Sequence, residues 1–212
     1  MNKVKNSLVF VLVLLVCLST AACSKKELTL GEFQGNTYTN SYFGISMNIP
    51  EGWEIQNDET VNELMEAGKE AIAGDNAAKK AALDLAEQKL LTFFMICKYP
   101  IGELGKINPN VICQAEKVGS LVKNESEYLE AIRNQLESAS QTPYNFKDIY
   151  TENLGGEDFY VLESNIDFGS FVYTQKYYTK IMDKYAFNIV VGYTEEEGKE
   201  EISQMLESVI FE

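Results

Sequence analysis

The chain has 212 residues, with 18 Lys and Arg against 32 Asp and Glu, a formal net charge of −14 and no histidine. Such a charge repels phosphate backbones and argues against nucleic acid as a partner. Without histidine, Ser-His-Asp and Cys-His catalysis in their usual forms are excluded, and so is the commonest zinc ligand.

Lys3 and Lys5 precede an almost unbroken apolar run from Leu8 to Leu18, which closes on Ser19-Thr20-Ala21-Ala22-Cys23. A positive start, a short apolar run and small residues before a cut describe a secretory signal. The run is too short to span a bilayer, which takes about 20 apolar residues. With Cys23 directly after Ala22, the segment resembles the lipobox of exported bacterial lipoproteins. That resemblance implies removal of residues 1–22 as a lipoprotein signal peptide and attachment of lipid, palmitate among its acyl chains, to the Cys23 thiol. Thr20 stands where that family most often carries Leu. Cleavage takes away two lysines and no acid, so an anionic membrane would repel the body and the lipid would have to hold it. Lys25 and Lys26 add a small local attraction to headgroups. Residues 23–36 are therefore expected to be a lipidated cysteine and tether, and 37–212 a single domain.

The domain opens with Tyr38, Tyr42 and Phe43, followed by Ile45, Met47 and Ile49 alternating with polar residues, the period of a half-buried strand. Pro50-Glu51-Gly52 ends it with turn chemistry, and Trp53 reads as a core plug. Residues 58–90 change to Ala, Glu and Lys, with Val61, Leu64, Met65 and Ile72, then Ala78, Ala81, Ala82 and Leu85, at helical spacing. Two helices with a shallow apolar stripe are expected there, as an insertion on the surface. TFFMICKYP (92–100) and NPNVICQAEKV (108–118) are strand-like. Paired as a hairpin centred near Gly105, they would set Cys97 almost opposite Cys113. The two thiols then form either a cross-strand disulfide, which an oxidising compartment permits, or a pair of small buried hydrophobes.

Asn124 with Glu127 has the form of a capping box, and Tyr128, Leu129, Ile132, Leu136 and Ala139 trace one helical face. A strand meander follows over 144–153, 158–166, 170–181 and 184–193, with short connections that make sequential neighbours antiparallel. Thr194 and Glu197 are expected to cap a final helix, with Glu195 and Glu196 at its positive end. Ile202, Met205, Leu206 and Val209 form its buried stripe. The pattern predicts an α+β domain, an antiparallel β-sheet flanked by α-helices.

Phe43-Gly44-Ile45 leading to Ile49-Pro50-Glu51-Gly52-Trp53, and the closing Leu206-Glu207-Ser208-Val209-Ile210-Phe211, resemble the two ends of Mog1/PsbP-like domains. The resemblance covers about 37–212 with 58–90 as a departure, and implies a sandwich with a helical insertion. Members of that family act as binding or assembly factors without a shared catalytic site, so no functional residue is carried over.

No motif selects a reaction. Cys97 and Cys113 lack redox spacing, and no nucleophile elbow, phosphate-cradling loop or calcium loop occurs. Nothing singles out two of the 32 acids as an acid and base pair. No catalytic residue, metal or cofactor is expected. Among the twelve tyrosines, Tyr160, Tyr173 and Tyr177 are candidates for a binding face; a concave pocket there would favour a solute or glycan, and a filled face, protein contacts. The leading expectation is an exported, lipid-anchored, non-catalytic binding or assembly module of the cell envelope, meeting envelope proteins or an unidentified ligand outside the cytoplasm. The alternatives are a solute- or glycan-binding lipoprotein and a hydrolase of envelope polymers using paired carboxylates.

Overall fold

Period-two alternation builds most of this molecule. The computed structural model describes residues 27–102, 107–119, 122–139 and 144–212; the signal segment, Cys23 and the Gly105 turn lie outside the described residues. A smaller sheet has the order β1-β2-β3-β12, formed by β1 (Glu32–Gln34), β2 (Thr37–Asn40), β3 (Ile45–Asn48) and β12 (Ile210–Phe211). Tyr38, Ile45 and Met47 point into the core, while Thr37 and Asn48 face out and hydrogen-bond to each other.

The larger sheet has the order β4-β5-β6-β11-β10-β9-β7, with β8 also on β9. Its strands are β4 (Glu54–Ile55), β5 (Leu90–Cys97), β6 (Asn110–Lys117), β7 (Tyr144–Phe146), β8 (Tyr150–Leu154), β9 (Glu157–Asp167), β10 (Val172–Met182) and β11 (Tyr185–Tyr193). Every pairing between strands is antiparallel. The stretch expected as one strand over 144–153 is two. The Lys147 amide still bonds to the Glu163 carbonyl, and β8 then takes over the same edge of β9.

Among the described residues, four helices complete the α+β domain: α1 (Asp58–Ala73), α2 (Ala77–Glu87), α3 (Glu125–Ala139) and α4 (Lys199–Glu207). The α1–α2 pair falls within 58–90, where two helices are expected from the sequence. Asn57 and Asn76 cap its helices by accepting from the amides of Thr60 and Lys79, and Lys69, paired with Glu66 on its own helix, joins α1 to α2 through Asp84 and Glu87. In α3, Asn124 accepts from the Glu127 amide at 2.9 Å and the Glu127 carboxylate accepts from the Lys123 amide.

One face of the larger sheet packs on the smaller sheet and α4. Phe94, Ile96, Val111, Phe159, Phe187 and Ile189 meet Tyr38, Met47, Trp53, Ile202 and Met205 there. The other face lies under α3, where Tyr128 and Leu129 sit against Leu162 and Ala186. Both faces of β11 are therefore covered, which is why YAFNIVVGY reads as nearly continuous apolar sequence.

Two boundaries differ from expectation. The tether expected to end at residue 36 ends before Leu28. Leu28 packs against the main core, the Tyr38 hydroxyl donates to the Leu30 carbonyl at 2.7 Å, and the Asn40 amide group donates to the Thr29 carbonyl. The three residues of β1, Glu32-Phe33-Gln34, are too few for alternation to show. The last helix starts later than Thr194 implies. Thr194 Oγ1 accepts from the Glu197 amide as a cap would, but this closes a separate turn. The helix begins at Lys199 after Gly198 in the left-handed region, with Glu200 and Glu201 in its first turn. Glu197 instead accepts from the Tyr99 hydroxyl and pairs with Lys98.

Candidate functional site

The three tyrosines singled out from sequence share one face, because register sets Tyr160, Tyr177 and Tyr173 opposite Thr179, Leu162 and Ile166. That face is the one beneath α3. Tyr160 and Tyr177 pack against the cluster around Leu129 and Leu162. Tyr173 lies across Gly192, where a side chain would collide with its ring, and accepts a 2.9 Å hydrogen bond from Asn110 Nδ2. Burial pushes the Tyr173 and Tyr177 hydroxyls above the usual phenol range. The three form a filled layer, pinned further by a buried chain in which Thr179 donates to Asn188, Asn188 to Tyr128 and Tyr128 to Glu116.

The cysteines are not opposite one another. Cys97 pairs with Asn110 and Cys113 with Phe94, so the register is offset by three residues from the one expected. Residues an odd number apart on a strand point to opposite faces. Cys113 therefore enters the main core, and Cys97 lies on the far side with Asn110. A disulfide needs Cα atoms roughly 4.4–6.8 Å apart and converging side chains; here the sheet stands between them, and both are free and buried. Burial, then the Glu54 charge, pushes the Cys97 thiol up to about 11, and burial raises Cys113 well above the thiol range.

The open polar site lies on the other side of the same strands. Tyr150 and Glu152 on β8, Glu163 on β9, and Lys176 and Tyr178 on β10 project to one face near the β8 edge. Lys176 lies 5.8 Å from the ring centroids of both Tyr150 and Tyr178, and its ammonium is 3.2 Å from Glu152 and 3.6 Å from Glu163. Tyr178 donates to Glu152 at 3.0 Å and Tyr150 to Glu163 at 2.8 Å. Lys147 reaches Glu163 from the β7 side. Burial alone would raise the Glu163 carboxyl. Hydrogen bonds from Lys147 and Tyr150, with the Lys176 charge, outweigh it and hold the carboxyl below the usual range. Tyr150 and Tyr178 are raised by burial and by the acids they donate to, so both stay protonated donors.

Glu152, Lys176 and Tyr178 of this cluster form one side of a cavity of about 400 Å³, which Tyr193, Leu206, Ser203 and Glu207 also line. Sequence reasoning missed it by one residue of parity: Tyr178 rather than Tyr177 lines the opening. No local signal marked it: Glu152, Lys176, Tyr178 and Tyr193 are flanked largely by polar or small residues, and only the packing of α3 and α4 tells which face stays open. Among the described residues, no group of three or more Cys, Asp or Glu is arranged to hold a metal ion.

No protein-family model and no curated protein matches the chain. Solved structures similar to it include LpqN of Mycobacterium tuberculosis, described as involved in cell envelope biogenesis. It is 12% identical, with 78% of this chain and 82% of that one covered at a TM-score of 0.44. Cyanobacterial PsbP from Synechocystis is 10% identical, covering 86% and 99% at a TM-score of 0.48. A Bacteroides thetaiotaomicron protein is 14% identical over 85% of this chain and 49% of its own, at 0.40. Likeness of this degree carries no argument about function.

Proposed function

We propose that the chain is an exported lipoprotein, fastened through Cys23, whose body is a non-catalytic binding or assembly module of the cell envelope. The observation that carries this reading is the N-terminal sequence: two lysines, the Leu8–Leu18 run and Ala21-Ala22 directly before Cys23. No helix among the described residues is long and apolar enough to cross a membrane, so attachment on this reading is through the lipid.

The polar cluster supports binding over catalysis. A general acid working near neutrality needs a carboxyl held high, and Glu163 is held low by Lys147, Tyr150 and Lys176. Its neighbours are paired in a geometry that suits a rigid wall better than proton transfer.

Metabolic labelling of growing cells with an alkyne palmitate tests the anchor. The parent chain should take up label and sediment with membranes, and Cys23→Ala should lose the label. Equal labelling of the variant, or recovery of the uncut chain from the soluble extract, would overturn the reading.

A further inference from the structure

Hydrogen bonding runs short at one point of the cavity between β8, β10, β11 and α4. Tyr193 is 7% exposed and lines this cavity, yet its hydroxyl has no partner among the described residues. The oxygen is not among the fully buried atoms that lack a partner, so it opens onto the cavity, where a ligand hydroxyl can reach it. Around it stand Glu152, Lys176, Tyr178 and, from α4, Ser203 and Leu206.

We propose that this cavity binds an uncharged polyhydroxylated ligand, a hexose unit of a glycan, with the Tyr193 hydroxyl bonded to one of its hydroxyl groups. Charge selects against anions. Lys147 and Lys176 balance Glu163 and Glu152 within the cluster, so an anion would have to break an existing ion pair to find a counter-charge, while Glu207 on the rim leaves one carboxylate facing a cation, the case the spermidine comparison tests. Anions also meet the net charge of −14.

What the wall offers instead is alternating donors and acceptors a few ångströms apart. Glu152 accepts from Lys176 through Oε1 and from Tyr178 through Oε2, and each oxygen keeps a second lone pair. The Lys176 ammonium has three protons to give, and the Tyr193 and Ser203 hydroxyls both donate and accept. Neighbouring hydroxyls on a pyranose ring present the same alternation, and Leu206 with the tyrosine rings supplies an apolar wall for the C–H face of a sugar. A volume of about 400 Å³ falls at the small end of ligand sites, suited to one or two rings.

The assignment rests on the proposed reading only in taking the body to be a binding module. It makes no use of the lipid, so loss of palmitate labelling and loss of sugar binding are separate failures.

The test is a titration of the mature chain, labelled with ring-13C tyrosine and held in a detergent without a sugar headgroup. The probes are glucose, galactose, mannose and N-acetylglucosamine, with inorganic phosphate and spermidine as charged comparisons. At least one sugar should saturably shift the Tyr178 and Tyr193 ring signals in the millimolar range. Tyr193→Phe, which removes one oxygen and keeps the ring, should weaken that sugar about fivefold, the worth of one neutral hydrogen bond. Ser203→Trp, on the exposed rim, should abolish binding without disturbing the core. No shift with any sugar up to about 50 mM, a site too weak to matter, would overturn the proposal. Undiminished binding by Tyr193→Phe, or tighter binding of phosphate or spermidine at the same signals, would do so equally.

Discussion

The turn between β8 and β9 offers a matched pair of substitutions. Leu154 pairs with Glu157 across Gly155 and Gly156, whose φ angles are +60° and +89°, the two-residue hairpin loop that needs both in the left-handed region. An alanine at either position meets that backbone cost, about 1–2 kcal/mol. The surroundings then separate them. A Cβ on Gly156 would meet nothing within 4 Å, whereas one on Gly155 would lie 2.6 Å from the Val209 carbonyl oxygen and 3.0 Å from the Ile210 Cα. Both contacts are main chain and cannot rotate aside. Val209 is 1% exposed, so either the hairpin lifts or the end of α4 shifts, at about 1–3 kcal/mol for overpacking. Gly156→Ala should therefore lose about 1–2 kcal/mol and Gly155→Ala about 3–4. At roughly 2–4 °C per kcal/mol for a chain of this size, thermal unfolding followed by far-UV circular dichroism should fall about 4 °C in the first and about 10 °C in the second. Equal losses in the two variants would refute the close packing of this turn on the chain after α4.

Two further outcomes follow from the buried groups. Cys97 and Cys113 should resist a thiol reagent at pH 8 in the folded protein and both react once it is unfolded without reductant; no free thiol after unfolding would contradict their placement on opposite faces. Because the folded Glu163 carboxyl is held low, its contribution to stability is complete above the unfolded value of about 4.3 and fades as pH falls through the lower folded value. Urea midpoints between pH 3 and 6 should consequently rise less steeply for Glu163→Gln than for the parent, and parallel profiles would show that the paired carboxylate is not responsible.

How far the sequence alone reached depends on what each residue pattern encodes. Alternation in Ile45–Ile49 and the aromatic and β-branched runs along β9 to β11 marked the strands, and the Asn124–Glu127 box marked the start of α3, because these signals are local. Which side of the meander faced a helix was not local. Tyr177 and Tyr178 are equally tyrosine, and both faces of β10 are covered over much of its length, so only the docking of α3 and α4 decides which hydroxyl reaches the cavity. The cysteine register failed for a related reason. A long connection between β5 and β6 does not set pairing, and the bulge between Thr92 and Phe94, which turns both Phe93 and Phe94 into the core, has no sequence signature. Thr194 misled because a threonine accepting from the third amide onward closes an isolated turn as readily as a helix.

If Cys23 carries lipid as proposed, the early docking of Leu28 sets the working distance of the whole protein. Only Ser24 to Glu27 separate it from Cys23, and at about 3.5 Å per residue such a segment spans roughly 17 Å fully drawn out. A domain of this size is itself more than 30 Å across. On the proposed reading, with the Cys23 sulfur in the lipid, the protein is moored rather than leashed: its near side stays within less than its own diameter of the bilayer.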